Sequence, residues 1–311
     1  MKILVMGAGA IGSTFGGFLS KKHEVTLIGR TLHMNRIKEK GLIISGIWGY
    51  HVFKELKTYT SINANEIEKQ DLILITTKAY DTEKAVEQIL PLLGEKTLVV
   101  SIQNGIGNEE IIARKVGAER TLGCMIIFGA TMIEPGHVKV TVYASECLIG
   151  SISGKNEVAE YLAKTFSEVG IPTLATDDIT REKWMKAFYN MALNPLSAIL
   201  RVPYGKLGEF EETKVIMKRI IQEAFKVANA KGIKLKLNDD EYFEFLLRKQ
   251  LPPTSEHKSS MLQDLERGKK TEIDFLNGAI AKMGKELCIE TPTNDIITSI
   301  IKALEALNRR E

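Results

Sequence analysis

Lys186, Asn190 and Asn194 recur at every fourth position, so in a helix they share one face that drifts slowly around the axis. The residues between them are mostly apolar (Ala187, Phe188, Met191, Ala192, Leu193), which sets a polar stripe on a helix that otherwise reads as buried. Buried amides require hydrogen-bond partners. A bound ligand would supply them; a capped, solvent-exposed face carrying a lysine is the plainer alternative. A lysine side chain, with an ordinary pKa of about 10.4, keeps its proton at neutral pH. It suits the proton donor that a carbonyl oxygen needs as hydride reaches the carbonyl carbon, and its charge stabilises the developing oxyanion. Pro195 follows Asn194 and disfavours helical geometry there, so a kink or a frayed turn is expected at that point.

Hydride chemistry needs a carrier, and the N-terminus offers a place for one. Gly7-Ala8-Gly9-Ala10-Ile11-Gly12 follows an apolar run and opens a helical pattern. Gly7 permits a tight turn, Gly9 lets backbone approach a pyrophosphate, and Gly12 allows close helix–strand packing. Ala10 and Ile11, with Gly12, offer first-turn N–H groups to phosphate. A glycine turn without a ligand is the alternative, but the strand–turn–helix setting favours a dinucleotide. Where NAD enzymes usually carry a ribose-binding carboxylate, this chain reads Leu27-Ile28-Gly29-Arg30. Arg30 can pair with a 2′-phosphate, which points to NADP(H); a solvated surface charge is the other reading. His33 and Arg36 are further candidates for that phosphate.

Two more apolar runs end in polar residues, Thr76-Thr77-Lys78 and Gln103-Asn104-Gly105. Ligands of open α/β sheets bind beyond the carboxyl ends of the strands. Lys78 is placed to hold a phosphate or carboxylate, and Asn104 to donate and accept at a cofactor or substrate edge. Either alone reads equally well as a loop residue; their matched positions on two strands raise the functional reading.

These residues must be positioned by an α/β scaffold. Short apolar runs near 3–6, 25–28, 71–76 and 97–102 alternate with helical patterns, which predicts a Rossmann-type doubly wound parallel sheet. Residues 41–58 read as an antiparallel hairpin. Residues 122–150 read as antiparallel strands closing the sheet edge, with a type II turn at Glu134-Pro135-Gly136-His137. A helix near 156–169 and a strand near 172–175 complete a first domain over residues 1–177. Beyond it the periodicity is helical throughout (about 180–200, 211–231, 239–249, 259–267, 272–287 and 294–307), giving an all-helical second domain over 178–311. Within it, Ser260 and Asp264 lie one helical turn apart. N-capping or surface polarity accounts for both, and helix-dipole preference accounts for Glu272.

Composition narrows the function classes. The 311 residues carry 44% hydrophobic and 26% charged residues with a net charge of +3. That is ordinary for a globular chain with a core and too weakly basic to suggest nucleic acid. Cys124, Cys147 and Cys288 lack metal-ligand spacing and read as thiols of a reducing cytosol. No run approaches the roughly 18 apolar residues of a membrane span, and no signal-peptide pattern is present. A cytoplasmic enzyme, monomeric or homodimeric, acting without a metal on a small molecule is expected.

The motifs resemble those of the ketopantoate reductase family over almost the whole chain. The resemblance rests on Gly7-x-Gly9-x-x-Gly12, Lys78, Gln103-Asn104-Gly105 and the Glu134-Pro-Gly-His137 turn. It rests above all on Lys186-x-x-x-Asn190-x-x-x-Asn194-Pro-Leu-Ser-Ala and on Ser259-Ser260-Met-Leu-Gln-Asp264 followed by Thr271-Glu272-Ile-Asp274. It implies NADPH-dependent reduction of 2-dehydropantoate to pantoate on the route to pantothenate and coenzyme A. It further implies Lys186 as proton donor supported by Glu272; Asn190, Asn194 and Ser260 as substrate ligands; and Asn104 touching both cofactor and substrate. Lys78 and Glu272 are placed on the cofactor side as well, with Asp264 either behind the ligand-contacting residues or in the cleft. One position departs from the pattern: where some members have Asn-Gly after Val202-Pro203, this chain has Tyr204-Gly205, which leaves room for a different 2-oxo acid. A 3-hydroxyacid or opine-type dehydrogenase, or a non-catalytic NADP(H)-binding regulator, are the competing readings.

Overall fold

Strict alternation in the first strand decides which side chains face which helical layer. Ile3 and Val5 enter one buried cluster with Phe15, Leu27 and Val100, while Leu4 and Met6 enter another with Ile28, Ile73, Ile75 and Val99. A strand buried on both faces belongs inside a sheet covered on both sides. The computed structural model describes residues 1–154 and 156–308; the last three residues of the expected second domain therefore lie outside the described residues. The chain divides into two compact units, Met1–Gln103 with Asn108–Ile179, and Asn104–Gly107 with the residues from Thr180 onward.

The first unit runs β1 (Lys2–Met6), α1 (Ala10–Leu19), β2 (Glu24–Ile28), α2 (Thr31–Lys40), β3 (Leu42–Gly46), β4 (His51–Phe53), β5 (Leu56–Tyr59), β6 (Gln70–Ile75) and α3 (Thr82–Ile89). It continues through β7 (Leu93–Ser101), α4 (Asn108–Val116), β8 (Thr121–Met125), β9 (Phe128–Glu134), β10 (His137–Tyr143), β11 (Cys147–Ser151), α5 (Asn156–Val169) and β12 (Thr173–Ala175). The main sheet has the order β12-β11-β8-β7-β6-β1-β2-β5. Strands β5 to β8 in that row pair in parallel, which is the dinucleotide-binding arrangement with its strand order reversing between β1 and β6.

Two expectations about strand pairing need correction. Residues 41–58 do contain an antiparallel pair, with Leu42 opposite Phe53, but Leu56–Tyr59 leaves it to pair in parallel with β2. Residues 122–150 do not simply close the edge. β8 is the sixth parallel strand and β11 adds antiparallel to it. The hairpin β9–β10 departs to form a second sheet of order β4-β3-β10-β9. Local alternation fixes which residues form strands but carries no information on a partner far away in the chain, and both errors are of that kind. The turn between β9 and β10 has Gly136 at φ +82, as a type II turn with Pro135 before it requires.

The second unit is helical: α6 (Ile179–Leu200), α7 (Tyr204–Leu207), α8 (Glu211–Ala230), α9 (Asp239–Phe245), α10 (Ser260–Glu266), α11 (Asn277–Glu286) and α12 (Pro292–Asn308). Its core gathers Phe188, Met191 and Leu193 of α6 with Ile220 and Ala224 of α8, Leu262 of α10, Ile280 of α11 and Ile301 of α12. Helix α6 does not fray at Asn194 but continues through Pro195 to Leu200. Proline has no N–H for the carbonyl four residues earlier, and the side chain of Asn277 donates to that carbonyl, Met191 O, at 3.2 Å. Among the described residues no helix is long and apolar enough to cross a membrane.

Candidate active site

In the first unit, β1 delivers the chain to Gly7, which turns at φ +100. A Cβ on Gly7 would lie 2.7 Å from the Thr77 backbone nitrogen, and one on Gly12 would lie 2.8 Å from the Gly7 carbonyl oxygen. Strand β1, the start of α1 and the end of β6 thus meet as closely as backbone permits. Gly9 is exposed, and the nearest atom to a Cβ there would be 3.9 Å away, so its side is open. Gly9 caps α1 with no side-chain hydrogen bond. The N–H groups of Ala10, Ile11 and Gly12 therefore point outward from the positive end of a helix that has no acidic residue in its first turn. A bare cradle of this kind fits a pyrophosphate, and these are the residues that would hold one.

Arg30 stands exposed at the end of β2, at the N-cap position of α2, with no carboxylate beside it in sequence. His33, expected as a helper for the 2′-phosphate, is instead built into the protein. Its Nδ1 accepts the Gly136 N–H at 2.8 Å, which leaves the proton on Nε2 to donate to Ser13 Oγ at 2.8 Å. Burial pushes its pKa down to about 4. The neutral ring therefore ties α1, α2 and the β9–β10 turn together. Arg36 lies within 3.9 Å of Glu39 and packs where a side chain on Gly136 would go.

Lys78 follows the carboxyl end of β6, half-buried, as the cap of a short helical turn Ala79–Asp81. The end of β7 is fastened to it by Gln103, whose amide nitrogen donates to Thr77 O at 3.0 Å and to Thr82 Oγ1 at 2.8 Å. In the sequence Gln103 belongs to a motif without a task of its own. Its position, one residue before the loop that carries Asn104, was the available signal.

In the second unit the loop Asn104–Gly107 packs with the helices. Gly105 has φ +87, and a Cβ there would sit 2.6 Å from the Phe275 carbonyl oxygen. The Ile106 N–H donates to that same oxygen at 2.9 Å, and the Phe275 N–H donates to Glu272 O at 2.9 Å. Asn104 is thereby held to the segment that carries Glu272, and its Oδ1 accepts from Lys186 Nζ at 3.0 Å. Glu272 is buried. The residue before it, Thr271, donates its N–H to the buried carboxylate of Glu305 at 2.7 Å and accepts the Ile273 N–H at 3.2 Å.

Asn190 and Asn194 are 9% and 5% exposed. Asn190 lies one turn beyond Lys186 on the same face of α6. Asn194 Oδ1 accepts from the Tyr204 hydroxyl, which turns its Nδ2 donor away from Tyr204. Burial holds the Tyr204 hydroxyl well above the ordinary phenol range, so it stays a neutral donor. Ser259 Oγ donates to Asn194 O at 3.2 Å and accepts the Leu262 N–H at 3.0 Å, capping α10. Of the serine pair, Ser259 is therefore the buried, fully engaged member, whereas Ser260 is exposed as the first residue of α10. Asp264 is buried, and its carbonyl accepts the Lys269 N–H at 2.8 Å. The structure thus gathers Lys186 with Asn104, and Asn194 with Tyr204 and Ser259, in one unit. Arg30, Lys78 and the glycine cradle belong to the other.

Among the described residues no three His, Cys, Asp or Glu side chains cluster as a metal ion would require. The arrangement around Lys186 can donate a proton and offer amide donors and acceptors to a small polar molecule.

The chain is similar to known proteins along most of its length. Residues 3–154 match the family model described as Ketopantoate reductase PanE/ApbA, and residues 178–305 match its companion, Ketopantoate reductase PanE/ApbA C terminal. A 2-dehydropantoate 2-reductase of Aquifex aeolicus (strain VF5) is 41% identical over 319 residues, covering 100% of this chain and 99% of the relative. Another from Pyrococcus horikoshii is 39% identical and covers 99% of this chain and 98% of the relative. Among solved structures, a PanE/ApbA family ketopantoate reductase from Ralstonia eutropha JMP134 superposes with a TM-score of 0.89 at 31% identity, covering 99% of this chain and 100% of that one. A D-mandelate dehydrogenase with NADH and anilino(oxo)acetate superposes equally well, at a TM-score of 0.89 and 32% identity over 99% of both chains. The chain belongs to the ketopantoate reductase family.

Proposed function

We propose that the chain catalyses NADPH-dependent reduction of 2-dehydropantoate to pantoate, a cytoplasmic step toward pantothenate and coenzyme A. The observation that carries the reading is the Lys186–Asn104 hydrogen bond of 3.0 Å on the helix that also carries the buried amides of Asn190 and Asn194. The glycine cradle and Arg30 support a nicotinamide cofactor bearing a 2′-phosphate, which when bound supplies hydride to the ketone carbon. Lys186 gives its proton to the ketone oxygen as negative charge builds there, and recovers one from solvent afterwards. Asn104, as acceptor to the ammonium, holds that proton source in place. Glu272 supports Lys186 as proton donor, and the fastening of Thr271 by Glu305 fixes the backbone from which Glu272 projects. Asn190, Asn194 and Ser260 bind the carboxylate and hydroxyl of the substrate.

A second reading within the same chemistry is favoured by Tyr204 and by the likeness to D-mandelate dehydrogenase: reduction of a different 2-oxo acid, with NADH accepted. One experiment decides between them. The purified chain is supplied with a panel of 2-oxo acids, each with NADPH and with NADH, and the loss of nicotinamide absorbance is followed. The highest kcat/KM is expected for 2-dehydropantoate with NADPH; a better aryl 2-oxo acid, or equal use of NADH, would favour the second reading. No turnover with any of them would leave a nucleotide-binding protein without this activity.

A further inference from the structure

A proline inside α6 leaves a defect between two of the polar residues on its working face. Pro195 has no N–H, so the carbonyl of Met191, four residues earlier, loses its helical donor. Asn277, fully buried at the start of α11, donates to that carbonyl from Nδ2 at 3.2 Å. The second Nδ2 hydrogen goes to Asn294 Oδ1 at 3.0 Å. Asn294 in turn donates from Nδ2 to Glu223 Oε2 at 2.7 Å, and the backbone N–H groups of Thr293 and Asn294 donate to the two oxygens of the same carboxylate at 2.9 Å each. Glu223 therefore caps the first turn of α12 while it orients Asn294.

The direction of every group in this chain is determined. Turning the Asn277 amide over would set its oxygen against two acceptors, Met191 O and Asn294 Oδ1. In the orientation found, Asn277 Oδ1 is itself buried without a hydrogen-bond partner. An orphaned acceptor is unfavourable, and the arrangement is kept because both donors are used. Asn277 also lies five residues beyond Glu272, joined to it through the turn Ile273–Phe275. One side chain thus links the segment carrying Glu272 to the stretch of α6 between Asn190 and Asn194.

We propose that Asn277 is a positioning residue, which replaces the helix hydrogen bond deleted by Pro195 and so sets the Asn190–Asn194 face in register with Glu272. The proposal rests on the reading of that face as the substrate-binding one.

Restoring the missing donor supplies the test. In Pro195→Ala the residue at 195 again has an N–H for Met191 O, and Asn277 becomes redundant there. Wild type, Asn277→Ala, Pro195→Ala and the double variant are compared with NADPH and 2-dehydropantoate. With Pro195 in place, Asn277→Ala should raise the substrate KM about tenfold, the size of one lost hydrogen bond. The change in kcat should be smaller, and NADPH affinity should be unchanged. In the Pro195→Ala background the same substitution should change KM by less than about twofold, a coupling that a purely structural loss would not show. Equal shifts in both backgrounds, or no shift in the first, would overturn the proposal. So would failure of Asn277→Ala to fold in both backgrounds; recovery of folding by Pro195→Ala alone would support it. If the wild type turns over no 2-oxo acid, the functional reading fails instead. Amide hydrogen exchange across residues 190–198 then decides this proposal: faster exchange in Asn277→Ala is expected only when Pro195 is present, and equal exchange in the two backgrounds contradicts it.

Discussion

Lys186 and Asn104 lie 82 positions apart in the chain and meet through a 3.0 Å hydrogen bond from ammonium to amide oxygen. The bond fixes the head of a flexible side chain at one end of the polar stripe on α6. Its acceptor is held in turn, because the loop that bears Asn104 is pinned at Gly105 and Ile106 to the carbonyl of Phe275.

Asn104→Ala should therefore lower kcat about tenfold, as loss of one hydrogen bond to a charged group would. Circular dichroism and melting temperature should stay near those of wild type, because Asn104 is not part of the core. An unchanged kcat would show that Lys186 is oriented by other groups.

Arg30 is exposed at the end of β2, with nothing acidic next to it in sequence to engage a ribose hydroxyl. Arg30→Ala should raise KM for NADPH about 10- to 100-fold, the range of a charge-assisted contact, and leave KM for NADH within a factor of about two. Steady-state kinetics with both cofactors checks this; equal effects would remove Arg30 from the 2′-phosphate.

Tyr204 stands where the family resemblance leads one to expect asparagine in some members, and its hydroxyl is spent on Asn194 Oδ1. Tyr204→Phe frees the Asn194 amide to turn. The substrate KM should rise about 3- to 10-fold, with little change in kcat, in line with one neutral hydrogen bond. The ranking of 2-oxo acids should also flatten. A variant with wild-type KM and wild-type ranking would show that Tyr204 only packs.

His33 makes a pH-dependent contribution to stability. Burial holds it neutral down to about pH 4, whereas in the unfolded chain it takes up a proton near its ordinary pKa of 6.5. Between those values the unfolded state binds more protons than the folded one, so stability falls as pH falls. The contribution is complete above pH 6.5 and is lost progressively toward pH 4. Glutamine cannot titrate, so in His33→Gln the decline in melting temperature across this window should be shallower than in wild type, whatever the stability at neutral pH. Parallel curves would mean that His33 is protonated in the folded protein.

Much of this architecture is legible in the chain because it is written in short-range patterns. The Gly7–Gly12 motif sits in its strand–turn–helix setting, and the fourfold spacing of Lys186, Asn190 and Asn194 already sets them on one helix face. What cannot be read depends on partners remote in sequence. Leu56–Tyr59 reads as part of a hairpin because nothing local announces parallel pairing with β2. The β9–β10 hairpin reads as part of the main sheet for the same reason. Pro195 predicts a disturbed helix at Asn194, since the amide that completes the broken ladder comes from Asn277, far along the chain. His33 reads as a phosphate ligand until Ser13 and Gly136 are seen to occupy both ring nitrogens. In the Ser259-Ser260 pair, burial alone separates the capping residue from the exposed one.

Transfer of the Lys186 proton to the ketone oxygen is tested most directly by Lys186→Ala. Proton donation matters in the transition state, so its loss should fall on kcat and leave ground-state cofactor binding intact. With 2-dehydropantoate and NADPH, kcat should drop about 100-fold or more, as expected for a general acid. NADPH affinity, measured by quenching of protein fluorescence, should remain as in wild type. A Lys186→Ala protein that turns over at a near-normal rate would contradict the assignment and move the search for the donor to Lys78.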